Sequence, residues 1–315
     1  MIQIFRGAIL ALSLLVFFTT EAEGHRVLLQ GGDRLAIASP NGEIEWEMPW
    51  GAIHDIHTLE NGHIMVQRGM QEIVEIDPKT KTVVWSYNAQ ESNGNVGKKL
   101  EVHSFQLLSD GGIMIAESGP ARIIEIDRDG TLRKEIKLKV NNPHPHMDTR
   151  LVRKLSNDHY LVCHEGDGFV REYDSAGDVV WEYEVPLYGK ERKGGHGPDS
   201  WGNKTFAALR LSNGNTLIST GNGHGVLEVT PQKKVVWKLG QKELPGITFA
   251  WVTTLEVLSN GNYVIGNCHA GPGQPILVEI EPTSKKVVWR FDCYDTFGNN
   301  VSNSVLLEPS AKRLQ

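Results

Sequence analysis

Cysteine is scarce in this sequence. Three residues, Cys163, Cys268 and Cys293, are too few among 315 for a disulfide framework. At most one bridge can form, leaving one thiol over, and the repeat described below makes Cys268 with Cys293 the pair to expect. An excess of positive charge is also missing. Lys and Arg number 32 against 38 Asp and Glu, a net charge of −6 without long charge runs, so there is no basic footprint for nucleic acid. Beyond residue 18 no apolar run is long enough to span a bilayer, and no transmembrane segment is expected in the mature chain. No segment carries a convincing 3.6-residue apolar stripe either, which excludes helical bundles and helical solenoids.

The first residues have the composition of a targeting segment. Arg6 precedes an apolar run from Ile9 to Phe18, and Ala22-Glu23-Gly24 offers small residues for cleavage. The reading is a signal peptide over residues 1–24, a mature chain starting near His25, and a soluble secreted or periplasmic protein. No cysteine stands at the cleavage point to accept a lipid. Residues 25–315 are then expected to form one domain.

What the chain has in abundance is repetition. Leu59-Glu60-Asn61-Gly62, Leu108-Ser109-Asp110-Gly111, Leu155-Ser156-Asn157-Asp158, Leu211-Ser212-Asn213-Gly214 and Leu258-Ser259-Asn260-Gly261 recur at spacings of 49, 47, 56 and 47 residues. Asn-Gly or Asp-Gly between apolar runs is the strongest short hairpin signal, so each phrase marks a turn between two strands. Ile44-Glu45-Trp46, Val83-Val84-Trp85, Val179-Val180-Trp181, Val235-Val236-Trp237 and Val287-Val288-Trp289 mark a fourth strand, with Leu132-Arg133-Lys134 as a degenerate copy. Four short β-runs per period of about 50 residues predict an all-β, six-bladed β-propeller of four-stranded blades. The first unit lacks its inner strand, and the segment from Val301 to Leu307 aligns with inner strands and has nothing after it. The C-terminal strand is therefore expected to complete the N-terminal blade and close the ring, removing two exposed sheet edges.

The repeat also assigns side chains to faces. Five residues before each repeated Leu stand His54, His103, Arg150, Phe206, Thr253 and, in the first blade, Ser302. These six are expected to ring the channel at the end away from the hairpins, here termed the mouth, facing solvent. Strand ends and inter-blade loops add His144, His146, His164, His196, His224 and His269, placing eight of the twelve histidines on one face. Five of the eight tryptophans are the blade-repeat residues, read as packing between blades. Trp50, Trp201 and Trp251 fall instead in loops on the mouth side. The Gly-rich stretch at 221–225 is a strand-end turn rather than a phosphate loop, because no helix follows it.

The phrases VEIDPKTKTVVW, REYDSAGDVVW and VEIEPTSKKVVW, with the LSNGN turns, resemble the quinoprotein-type propeller repeat. The group so resembled contains pyrroloquinoline-quinone-like propellers and periplasmic arylsulfotransferases. The resemblance to the latter implies a channel histidine that accepts a sulfuryl group, flanked by His and Arg that hold the sulfate oxygens. A His54, His103 and Arg150 trio is similar in type, since neutral imidazole is a competent nucleophile and Arg stabilises charge on oxygen. Quinone dehydrogenases of this repeat type use adjacent cysteines, and this chain has no adjacent pair.

The leading expectation is an exported propeller that binds a small anionic, aromatic-bearing molecule at the mouth, with arylsulfotransferase-like group transfer as its catalytic form. His54, His103 and Arg150 are the candidate catalytic residues, and His146, His164, His269, Trp50, Trp201 and Trp251 the candidate ligand-binding ones. An alternative is a non-catalytic scaffold that docks a protein or a glycan. A third reading is a metal-dependent lyase or hydrolase with His54, His103, His164 and His269 as nitrogen ligands. No metal site is assigned, and no cofactor is required; a metal ion or a quinone are the two that stay open.

Overall fold

The computed structural model describes residues 24–307. Six four-stranded antiparallel sheets stand around a central channel; five run outward in chain order, and the first takes its inner strand from the C-terminal segment. The inner strands are Ser304–Leu306, Ile56–Thr58, Glu101–Leu107, Val152–Lys154, Ala208–Arg210 and Trp251–Val257, in blades one to six. In blade one, Ser304–Leu306 pairs with Val27–Gly31 through Val27 with Leu306, Leu28 with Val305 and Leu29 with Ser304. The ring is thus closed by the C-terminal strand. The signal-peptide reading lies outside the described residues.

Burial follows position in the blade. Middle strands such as Val27–Gly31 and Ile113–Ser118 are buried on both faces, because neighbouring blades cover them. The outermost strands alternate: Ile44, Trp46 and Met48 are half-buried while Glu45 and Glu47 face solvent. Six apolar clusters form the core, one at each blade interface. At four interfaces the repeat tryptophan adds a polar staple, its indole N–H donating to a turn carbonyl of the next blade. Trp46 reaches Pro78, Trp85 reaches Arg128, Trp181 reaches Pro231 and Trp237 reaches Pro282, at 2.7 to 3.0 Å. Blade three has Lys134 at this position, which lies over the Tyr160 ring of blade four, while the Tyr160 hydroxyl donates back to Glu125.

The hairpin turns need a residue with positive φ at their fourth position. Gly62, Gly111, Gly214 and Gly261 take φ from +83° to +87° there, and Asp158 takes +67° in blade four, where the Gly is absent.

All three cysteines are free. The expected Cys268–Cys293 bridge is not formed, because the two sulfurs face different partners. Cys268 Sγ lies 3.5 Å from the Asn299 carbonyl oxygen, and Cys293 Sγ packs on Gly42 where any Cβ would collide with it.

One carboxylate, fully buried, ties the inner strands together. Asp55 of blade two accepts both guanidinium N–H groups of Arg153 from blade four at 2.8 and 3.0 Å. It also accepts the Ser104 hydroxyl and the Phe105 N–H from blade three, and the Asn303 amide from blade one. Burial alone would raise the Asp55 pKa, but the Arg153 charge and His57 outweigh it and hold the carboxyl far below its ordinary range.

Two predictions follow from closure and from this carboxylate. Deleting residues 301–315 should expose the inner edge of Val27–Gly31, lower the thermal midpoint and promote aggregation; an unchanged midpoint would contradict the closure. Asp55→Asn should cost about 3 to 5 kcal/mol in chemical denaturation, because it strands Arg153 in a buried site. Since folding lowers the Asp55 pKa, its contribution is complete above the ordinary carboxylate range and is lost as pH falls through and below about 4. The wild type should therefore lose stability more steeply than the Asn variant between about pH 5 and pH 2.

Candidate functional site

The mouth is assembled from the starts of inner strands and the loops entering them. Just before Ile56–Thr58, the backbone N–H groups of His54 and Asp55 both donate to the Gln67 side-chain oxygen, which fixes the His54 backbone. His103 is the extra residue of a β-bulge: Val102 pairs with Glu117 and Ser104 with Ala116, leaving His103 without a partner. A bulge re-aims the side chain it carries. The His103 Nδ1 accordingly leaves the ladder and bonds to the Thr149 carbonyl at 2.7 Å.

His54 and His103 meet edge to face with ring centres 4.5 Å apart, and His146 lies 5.8 and 5.3 Å from them. One ring nitrogen from each of the three falls within 4.8 Å of the others. Glu101, two residues before His103, touches two of these rings: its Oε2 is 2.9 Å from His103 Nε2 and 2.6 Å from His146 Nδ1. Both ring nitrogens of His54 are buried and have no hydrogen-bond partner.

Arg150 forms the next sector. Its Nε donates to Glu165, its guanidinium stands 5.6 Å from the centre of the Phe206 ring, and its Nη1 is buried without a partner. Glu165 also pairs with Lys204 at 3.2 Å, and Lys204 stands over the Trp251 ring at 5.7 Å. Beyond it Trp251, His196 and His269 form an aromatic wall, with His196 4.5 Å from Trp251 and 4.9 Å from His269. Three histidines with a carboxylate thus face an aromatic wall across an Arg–Glu–Lys bridge.

The electrostatics follow from this crowding. Burial, then the neighbouring His103, Arg150 and His146, hold the His54 pKa well below its usual value, with Asp55 opposing them. Burial and Arg150 bring His103 down to about 4. Burial would raise Glu101, but hydrogen bonds with His103 and His146 outweigh it and bring it to about 2. Burial and His196 lower His269 to about 4. The imidazoles of His54, His103 and His269 are therefore neutral and the carboxylate ionised at neutral pH.

The ring positions are less exposed than a solvated channel implies. His103 and Arg150 are 1% and 4% exposed, because the 144–149 loop and Glu165 close over them. His164 does not join the cluster. It is fully buried in blade four, its Nδ1 against the Asp148 carbonyl and its Nε2 against the Tyr173 hydroxyl, so neither nitrogen is available to a ligand shared with His54. Its pKa is brought down to about 4 by burial and then by Arg171. Trp50 donates its indole N–H to the Gln67 carbonyl between blades one and two, and Trp201 lies against His224 with Lys190 over its ring. His224 is held at both ring nitrogens by the Ala250 and Ser200 carbonyls.

Phe206 divides the channel. On one side it faces His54 and Arg150; on the other it lines a cavity of about 760 Å³ that opens toward the hairpin turns. That cavity is walled by apolar residues such as Leu151, Leu209 and Leu255 and by polar ones including Glu75, Arg153 and Glu256, and none of the mouth imidazoles reaches it. This cavity and the cluster of reactive groups are therefore separate.

Reading the repeat identified His54, His103 and Arg150 as neighbours but missed Glu101 and Lys204. The Glu101-Val102-His103 spacing, two residues apart on one strand, is the signal that could have pointed to Glu101. Lys204 carried none, because it sits in an insertion peculiar to blade five.

The profile of the family described as outer membrane protein assembly factor BamB matches residues 31–291. No curated protein matches the chain. Among solved structures, a protein of unknown function from Bacteroides caccae superposes with a TM-score of 0.73 at 22% identity, covering 90% of this chain and 100% of the other. A catalytically inactive variant of virginiamycin B lyase from Staphylococcus aureus, with quinupristin, gives 0.55 at 11% identity over 87% of this chain and 86% of that one. A streptogramin B lyase gives 0.56 at 11% identity over 92% and 95%. At these identities the likeness to the three structures is one of fold.

Proposed function

The chain belongs to the family of outer membrane protein assembly factor BamB, and from that premise we propose that it is an exported propeller whose mouth binds a small anionic molecule bearing an aromatic group. The observation that carries this reading is the Arg150 side chain, 4% exposed, with Nη1 buried and unpaired. An unsatisfied buried donor costs about 1 to 3 kcal/mol, and an oxyanion that accepts from it removes that cost. Glu165 occupies the Nε edge of the guanidinium and leaves the Nη1 edge to the ligand. Lys204 supplies a second positive charge, and Trp251 with His196 and His269 supplies the surface for the aromatic part.

Aryl sulfates, aryl phosphates and aromatic carboxylates are the ligand classes with this chemistry. Sulfuryl transfer to His54, the arylsulfotransferase-like form of the expectation, asks for one attacking imidazole flanked by donors. The mouth supplies three imidazoles in edge-to-face contact with Arg150 beside His54, and the proposal stated here is the binding step.

Family membership favours a second reading, in which the propeller docks another protein during outer-membrane assembly and the mouth is structural. The two separate on Arg150→Lys, which keeps a charge for Glu165 but cannot present the same fork of donors. Isothermal titration with 4-nitrophenyl sulfate, phenyl phosphate and benzoate should find at least one ligand whose affinity falls about ten- to hundredfold in the Lys variant, at an unchanged melting temperature. If no member of the series binds the wild type, or if Arg150→Lys binds equally well, the docking reading wins.

A further inference from the structure

We propose that His54, His103 and His146, with the Glu101 carboxylate, hold a divalent transition-metal ion of the zinc class at the mouth. The proposal goes beyond anion binding, which rests on Arg150 and the aromatic wall, and it uses other residues.

Three observations carry it. The first is spacing. Nitrogens bound to one zinc at about 2.0 to 2.1 Å lie about 3.3 Å apart in a tetrahedral site. One ring nitrogen from each of the three histidines already falls within 4.8 Å of the other two, so small side-chain rotations complete the convergence. They come from three separate segments, blades two and three and the loop before blade four, so this proximity does not follow from sequence neighbourhood.

The second is lone-pair direction at His103. Its Nδ1 faces the Thr149 carbonyl, which can only accept, so that nitrogen carries the proton and Nε2 presents a lone pair in the neutral ring. The Glu101 Oε2 faces that same Nε2 at 2.9 Å and His146 Nδ1 at 2.6 Å. The carboxylate and the lone pair need a positive centre between them, which a proton supplies at these hydrogen-bond distances and a metal ion supplies once the groups open to about 3.3 Å. A histidine whose other nitrogen is bound to a backbone carbonyl, which sets tautomer and ring orientation, is the arrangement that metal-binding imidazoles adopt.

The third is His54, whose two ring nitrogens are both buried and without a partner beside the other two rings. An imidazole in that state is a ligand with nothing to bind except an ion or a donor entering the mouth. Three imidazoles and one carboxylate favour zinc, cobalt, nickel or copper over magnesium or calcium, which take all-oxygen sets.

The test uses the untagged protein, stripped with a chelator and titrated with Co²⁺ and then Zn²⁺, with no organic anion present. One equivalent of Co²⁺ should bind, with the visible ligand-field absorption of a nitrogen-rich site, and one equivalent of Zn²⁺ should displace it. His146 is 44% exposed at its side chain, so His146→Ala should fold normally, and it should weaken the metal at least tenfold. Glu101→Gln should weaken it about ten- to hundredfold. Failure to bind one equivalent, or an affinity that neither variant changes, overturns the proposal. Ligand titrations on the stripped protein test the anion reading separately, so either can fail without the other.

Discussion

Asp55 connects four of the six blades through one carboxylate. Its oxygens accept from Arg153 in blade four, Ser104 and Phe105 in blade three, and Asn303 beside the closing strand of blade one. A propeller has no strand crossing from blade to blade, so apolar packing between sheets must set their spacing, and such packing is tolerant of sliding. Charged hydrogen bonds are not tolerant, because a displacement of an ångström breaks them and leaves charge buried. The Asp55 network therefore fixes the inner strands relative to one another in height and angle. His54 precedes Asp55, His103 precedes Ser104, and Arg150 stands three residues before Arg153. The residues of the mouth are carried on the segments whose register this carboxylate sets.

Much of the fold was legible because a propeller states itself six times. Leu-Ser-Asn-Gly turns and Val-Val-Trp strands each have a local cause, positive φ in one case and an inter-blade contact in the other, and a cause repeated at the same spacing survives single departures. Asp158 in place of Gly and Lys134 in place of Trp are such departures, and both positions keep the geometry of their class. What the repeat could not convey was the polar half of the tryptophan contact. The indole N–H reaches a turn carbonyl in the next blade, and nothing in the order of residues says which carbonyl will stand opposite.

The site was legible only in part, for a related reason. Equivalent positions in successive blades converge on the axis, so His54, His103 and Arg150 could be grouped from spacing alone. Orientation depends on irregularities that spacing does not record. The bulge at His103 turns its ring toward Thr149, while His164, at the end of an unbulged strand, keeps its side chain inside the blade and bonds to Tyr173. The two histidines end in different environments because His103 sits at a bulge near the start of an inner strand and His164 at the end of a regular second strand.

The distribution of buried charge separates what holds the fold from what serves the site. Arg171 with Asp167 and Arg122 with Glu117 pair within single blades and also bind the loops that enter those blades, Arg171 donating to the Lys139 carbonyl and Arg122 to Asn93 and Asn95. They stabilise the blade that contains them. At the mouth, Glu101, Glu165 and Arg150 come from different segments and leave donors and lone pairs unmatched at Arg150 Nη1 and both nitrogens of His54. Phe206 stands between this cluster and the cavity behind it, and the burial of His103, Arg150 and Glu165 keeps these groups from bulk water. In that setting an ion entering from the opening is screened little by solvent, and its interaction with these groups is stronger than at an exposed surface. Buried atoms without a partner also occur away from the mouth, at Arg171 Nη2 and Arg210 Nε, whereas those of the mouth gather beside three imidazoles.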